Sequence, residues 1–210
     1  MTSSKDGLGN LLGLIFTFLS VISATGGQTT EVRGPEGFFL NGSSYAVLSE
    51  GLRLDPGSLL GFSFRTCLPG ELLKQTGDGL DELKLLLDAD GRLVLNVVSG
   101  ELRSEAIVEA RLLDARWHTV FLSVHPQTND LTVNVSNGGG SAVLNGSLVS
   151  SLDLSTTSPQ LRVGAGMVAC IREGPGVLFS RRVVSSSAVT WLSSGQTCLL
   201  PQTCSGEFDA

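Results

Sequence analysis

The chain has 210 residues, with 14 basic against 20 acidic side chains, two histidines and a formal net charge of −6. Its basic residues are scattered apart from Arg181-Arg182, so there is no cationic footprint for nucleic acid, and a heparin-like polyanion is disfavoured. Two histidines and no Cys-x-x-Cys pair also speak against a zinc site.

Lys5 is the only basic residue ahead of an apolar run from Leu11 to Ile22, and small residues follow it. That layout predicts a secretory signal peptide over residues 1–26. The run is shorter than the about 20 apolar residues that a bilayer span needs, and it lacks the polar alternation of an amphipathic helix. Cleavage fits after Gly26, with Ala24 and Gly26 as the small pair, or after Ser23, with Val21 and Ser23. Residues 27–36 read as a short linker. No second apolar stretch of spanning length follows, and Ser205 to Ala210 is polar, so a secreted product without a membrane span is expected.

Beyond the linker, glycines and serines punctuate short apolar runs of strand length. The predicted strands are Tyr45 to Leu48, Leu59 to Thr66, Leu83 to Leu87, Leu93 to Val98, Ala106 to Val108, Thr119 to Val124, Leu131 to Val135, Leu161 to Val163 and Val177 to Phe179. Asp90-Gly91 between Leu87 and Leu93 predicts a hairpin through a tight primed turn. A second hairpin joins Thr119–Val124 to Leu131–Val135 through the polar loop Pro126 to Asp130. By composition Glu101 to Leu113 and Ser185 to Leu192 are the two helical alternatives, the second weakened by its Ser, Thr and Val. Many short strands without long helical crossovers predict an all-β fold, an antiparallel β-sandwich or jelly roll.

Four cysteines, Cys67, Cys170, Cys198 and Cys204, behind a signal peptide read as disulfides, with three pairings open. Three sequons, at Asn41, Asn134 and Asn145, are candidate glycosylation sites.

The order of motifs resembles the laminin-G-like, or LNS, module. Phe39 to Leu48 is similar to its opening "F-x-G-x-S-Y" strand, Gly61 to Thr66 to "sFRT", and Gly70 to Leu73 to "G-x-L-L". Leu83 to Val98 resembles its "L-x-L-x-L…x-G-x-L" hairpin. Leu113 to Val120 is close to "L-x-D-G-x-W-H-x-V", with Ala115 where glycine is usual. Leu161 to Gly166 resembles "L-x-V-G-G", and Val168 to Arg172 resembles "F-x-G-C-I-R". The module covers residues 37–198, and the tail 199–210 resembles the start of an EGF-like module. The wording around Phe64 to Leu73 is similar to that of Crumbs proteins.

The resemblance implies a concanavalin-like sandwich and a Cys170–Cys198 bond. Cys198 with Cys204 is the alternative, and Cys67 and Cys204 are otherwise left over. It also implies an extracellular adhesion module that binds a cell-surface or matrix protein or proteoglycan; a jelly-roll lectin is the second reading. Some members hold one calcium ion at the sandwich rim, and Asp78 and Asp81 stand near the place of the first acidic ligand. Where the second is expected the chain reads Ser155 to Pro159, with Asp153 too early. No catalytic residues are assigned: there is no Gly-x-Ser-x-Gly elbow, and Asp88, Asp90, Glu101 and Glu105 read as turn and surface residues. Trp117 is expected in the sandwich core, His118 in a fixed hydrogen bond at its edge, and His125 in solvent.

Overall fold

Alternation of apolar and polar side chains sets the architecture. The computed structural model describes residues 37–49, 51–77, 79–136, 139–154, 161–175, 177, 183–187, 189–192 and 197–200. The signal segment, the linker, the tail, Asp78, Ser155 to Pro159, Cys204 and the end of the Val177–Phe179 run lie outside them.

The first strands are β1 (Gly37–Asn41), β2 (Tyr45–Leu48), β3 (Leu59–Thr66), β4 (Gly70–Thr76) and β5 (Glu82–Leu87). Next come β6 (Leu93–Ser99), β7 (Leu102–Val108), β8 (His118–Val124), β9 (Leu131–Val135) and β10 (Gly140–Leu144). A short helix, α1 (Gly146–Ser151), precedes β11 (Leu161–Ala165), β12 (Val168–Arg172), β13 (Val183–Ser187) and β14 (Thr190–Leu192). They form two seven-stranded sheets, ordered β10-β9-β8-β3-β12-β1-β14 and β13-β2-β11-β4-β5-β6-β7, with every pairing antiparallel. This is the predicted all-β sandwich.

Every second residue of a strand points to the same face, so Leu60, Phe62 and Phe64 of β3 meet Val120, Leu122 and Val124 of β8 in the core. From the other sheet Leu73, Leu83, Leu85, Leu93, Leu95 and Val97 face them, all essentially without exposure. Among the buried polar side chains, Gln75 ties the most chain together. Gln75 accepts a hydrogen bond from the Leu52 N–H at 2.5 Å and donates to the Leu52 and Leu154 carbonyls at 3.4 and 3.3 Å. A buried amide is tolerated because its partners are supplied, and here it pins two connecting segments to β4.

Both helical alternatives are corrected. Residues 102–108 are strand β7, because the Gly100-Glu101 turn folds them back on β6 in unbroken register from Ser99 opposite Leu102 to Leu93 opposite Val108. Ladder bonds and burial of Ala106 and Val108 outweigh the helical propensity of Leu, Arg, Glu and Ala. Residues 183–192 supply β13 and β14, which pair in different sheets, with β2 and β1 respectively. The Asp90-Gly91 connection is also not a two-residue primed turn. Asp88 N–H bonds to the Arg92 carbonyl at 3.1 Å around a three-residue loop that ends in Gly91 at φ +80°. The Asp88 carboxylate braces it, accepting from the N–H groups of Asp90 and Arg92, each at 2.9 Å. Glycine supplies the left-handed residue that such a bulged hairpin requires.

Candidate functional site

The strand registers gather two sets of loops at opposite ends of the sandwich. One end carries residues 41–44, 67–69, 88–92, 109–117 and 166–167, and the other carries 49, 51–58, 79–81, 100–101, 125–130 and the segment around α1.

At the first end a cleft of about 520 Å³ is lined by Glu109, Arg111, Asp114, Arg116, Trp117 and His118, among others. Inward parity at β8 decides what its floor looks like. Val120, Leu122 and Val124 are core residues, so His118 shares their face while Trp117 and Thr119 face outward. His118 Nε2 lies 2.7 Å from Asp114 Oδ1, and its ring tilts against Phe64 at 5.8 Å between centroids. The expected fixed hydrogen bond of His118 is therefore present. Partial burial alone would raise the Asp114 carboxyl, but the hydrogen bonds from His118 and from the Arg116 N–H hold it below the ordinary carboxylate value.

The expected place of Trp117 is corrected. It packs outside the sandwich core, in a small cluster with Cys170, Cys198, Leu192, Phe39 and Leu200 laid over the outer face of β1, β12 and β3. The Arg172 guanidinium sits 4.3 Å from its ring centroid, a cation–π contact. Counting outward from Val120 in steps of two gives this orientation from sequence; an aromatic beside a strand is not by itself a core residue.

Ala115 explains the usual glycine of its motif. Its φ is +57°, its N–H donates to the Thr66 carbonyl at 2.9 Å, and its own carbonyl accepts from Arg65 Nε. An L-residue in this region costs about 1–2 kcal/mol. Ala115→Gly is expected to stabilise the fold by about 1 kcal/mol, less the entropy glycine adds to the unfolded chain, as a rise in the urea midpoint. A drop in that midpoint would contradict this account.

Around the cleft, Asp114, Arg116 and Arg111 are exposed, and among the described residues Arg111 forms no ion pair or side-chain hydrogen bond. Among the described residues His118 hydrogen-bonds no hydroxyl; Ser136 Oγ, which also borders the cleft, accepts from the Thr119 N–H at 3.2 Å. The Asp114–His118 pair thus braces the loop.

At the opposite end Asp81 is a clamp. Its carboxylate accepts from the Gly100 N–H at 2.8 Å and the Asp153 N–H at 2.6 Å, joining the β4–β5 loop, the β6–β7 turn and the segment after α1. Asp78 and Ser155 to Pro159 are outside the described residues, and among the described residues no three His, Cys, Asp or Glu side chains gather around one point. His125, expected to be merely solvated, is exposed but also orders the β8–β9 loop, its Nδ1 accepting from the N–H groups of Gln127 and Thr128 at 3.4 and 3.2 Å.

The three sequon asparagines are all exposed. Asn134 stands on the outer face of β9, opposite Phe121 and Ser141. Asn41 and Asn145 each accept from the N–H and hydroxyl of the serine two residues on, and Asn145 caps α1. Cys170 and Cys198 are bonded to each other, the pairing that the resemblance implies. Cys67 is disulfide-bonded as well.

Comparison with known proteins agrees with this architecture. The model of the Laminin G domain matches residues 64–173. Among solved structures, domains LG4-5 of the mouse laminin alpha1 chain superpose with a TM-score of 0.60 at 24% identity, covering 81% of this chain and 48% of that one. The LG1-3 region of the laminin alpha2 chain gives a TM-score of 0.59 at 16% identity, covering 77% of this chain and 35% of that one. The chain thus spans about half and about a third of those two structures. Comparison with curated proteins gives no match. With a family model that covers more than half of its length, on a two-sheet sandwich shared with laminin chains, the chain belongs to the Laminin G domain family.

Proposed function

We propose that this chain is a secreted, extracellular binding and adhesion module that recognises a cell-surface or matrix protein or proteoglycan and carries no catalytic activity. The observation that carries this reading is the cleft between the β7–β8 loop and the end of β9. Its floor is held rigid by the Asp114–His118 bond and the Trp117–Arg172 stack, while Arg111 and Arg116 extend from its wall into solvent. A braced floor beside two exposed guanidinium arms, of which Arg116 lies 3.9 Å from the Asp114 carboxylate, suits capture of an acidic group on a partner, since little order is left to be imposed on binding. The signal-like start, the three sequons and the Cys170–Cys198 bond support an extracellular setting. Among the described residues no helix is long and apolar enough to cross a membrane.

The test is to screen the purified chain on cell-surface-protein and glycan arrays with and without calcium, then to repeat the capture with Arg111→Glu/Arg116→Glu. A protein or proteoglycan hit weakened about tenfold or more by the double variant is expected, the size of one lost charge-assisted hydrogen bond. Capture of a defined free sugar would favour a lectin instead. Dependence on calcium would place the contact at the Asp78–Asp81 rim. Turnover of a small substrate, abolished by replacing Ser or His residues, would overturn the reading.

A further inference from the structure

Strand β7 ends its sheet, and among the described residues β6 is its only strand partner. It is long for an edge, seven residues without proline or bulge, and Leu102, Arg103 and Glu105 on it are exposed. Such an edge is a template for another strand unless something blunts it.

The hairpin turn decides which backbone groups it offers. Ser99 and Leu102 face each other across Gly100-Glu101, and Gly100 has φ +58° while Glu101 is not in the left-handed region. Glycine at the first central position marks a two-residue hairpin, whose closing pair exchanges both hydrogen bonds. Leu102, Ser104, Ala106 and Val108 therefore spend their N–H and C=O groups on β6. Arg103, Glu105 and Ile107 present theirs outward, unpaired in the sheet.

We propose that β7 pairs antiparallel with β7 of a second copy of this chain about a two-fold axis at Ser104, joining two seven-stranded sheets. In that register Arg103 lies opposite Glu105 of the second copy, and Glu105 opposite its Arg103. Both residues carry outward backbone groups, and both side chains lie on the solvent face of the sheet, so each pair combines ladder bonds with an opposite-charge contact. Among the described residues neither side chain has an ion-pair partner within the chain to give up.

Neighbouring registers are worse. A one-residue slip sets outward backbone groups against spent ones. An axis at Arg103 or at Glu105 sets like charges directly opposite. An axis at Ala106 leaves Glu105 against Ile107. Only Ser104 pairs both charges, and it also lays Leu102, 62% exposed in the single chain, beside Ala106 of the second copy. Of the three sequons, Asn41 and Asn134 lie in the other sheet and Asn145 caps α1, so none is on β7 itself. The proposal does not depend on the cleft or its ligand.

Sedimentation of the full chain over a range of concentrations tests it, with Arg103→Glu, Glu105→Arg and the exchange variant Arg103→Glu/Glu105→Arg. Each single variant sets two like-charge pairs across the axis and is expected to weaken dimerisation about tenfold or more, whereas the exchange restores opposite charges and with them the association. Both sites are solvent-exposed, so at concentrations low enough that all four proteins are monomeric they should melt alike, which separates lost association from lost folding. A wild-type chain that stays monomeric, a dimer indifferent to the single reversals, or an exchange variant that remains dissociated would each overturn the proposal.

Discussion

Replacing both Cys170 and Cys198 with alanine is expected to lower the unfolding free energy by about 3–4 kcal/mol. The bond joins β12 to the segment after β14 across a sequence separation of 28, and the loop-closure entropy removed from the unfolded chain by a ring of this size is worth about 3.5 kcal/mol. Packing adds to the effect. The two half-cystines are the centre of the outer cluster that covers Trp117, Phe39 and Leu192, and Cys198 also offers its carbonyl to Arg65 Nη1 at 3.2 Å. Denaturant unfolding should show the loss, and Trp117 should emit at longer wavelength in the still-folded variant as its cover loosens. Trp191, stacked edge-on against Phe38 at 5.6 Å between centroids, keeps its surroundings. A loss below about 1 kcal/mol would show that the cluster is held by its apolar contacts and that the bond adds little.

Gly164→Ala should be comparably damaging, for a different reason. Gly164 has φ +72°, and a Cβ there would stand 2.1 Å from Leu40 Cδ1, itself fully buried. The left-handed backbone costs an alanine about 1–2 kcal/mol and the forced shift of a packed leucine about 1–3 kcal/mol more, a total of roughly 2–5 kcal/mol. Gly166 is the built-in control. Its φ is +68°, close to that of Gly164, yet a Cβ there meets nothing within 4 Å, so Gly166→Ala should show the backbone cost alone. Equal losses at the two positions, read from thermal or urea unfolding, would mean that Leu40 moves aside freely.

Much of the fold could be read from local pattern. Strands such as β3, β5, β6, β8 and β9 alternate apolar and polar residues or run apolar throughout, and their expected bounds differ from the observed ones by no more than a residue. Several of the strands that went unpredicted break the pattern. In β4 the inward position after Leu73 is Gln75, polar but buried because Leu52 and Leu154 supply its partners. Strands β10 and β13 are built of Gly, Ser, Ala and Val with few large apolar residues, and the ladder holds them in place more than their own propensity does. Helix α1, six residues long, exists because Asn145 caps it and Leu148 and Val149 are buried against the sandwich, which no periodicity over so short a stretch announces.

For the candidate site, residue identity was available from sequence and geometry was not. Trp117, His118, Arg116 and Asp114 stand together in one motif, so their proximity needed no structure. Arg172 over the Trp117 ring, and Phe39, Leu192 and Cys198 around it, come from strands and a segment brought together only when β1, β12 and β14 pair. Asp81 shows the same division: its acidic character and loop position are sequence facts, while its use as a clamp depends on Gly100 and Asp153 arriving from 19 and 72 residues away. The family and the sandwich class could thus be reached through local spacing and the order of motifs, and the Cys170–Cys198 pairing only as what the resemblance implies. Which face Trp117 takes, what Asp81 holds, and which sheet edge is left open were decided by tertiary structure, because strand parity and cross-sheet register are set jointly by partners far apart in the chain.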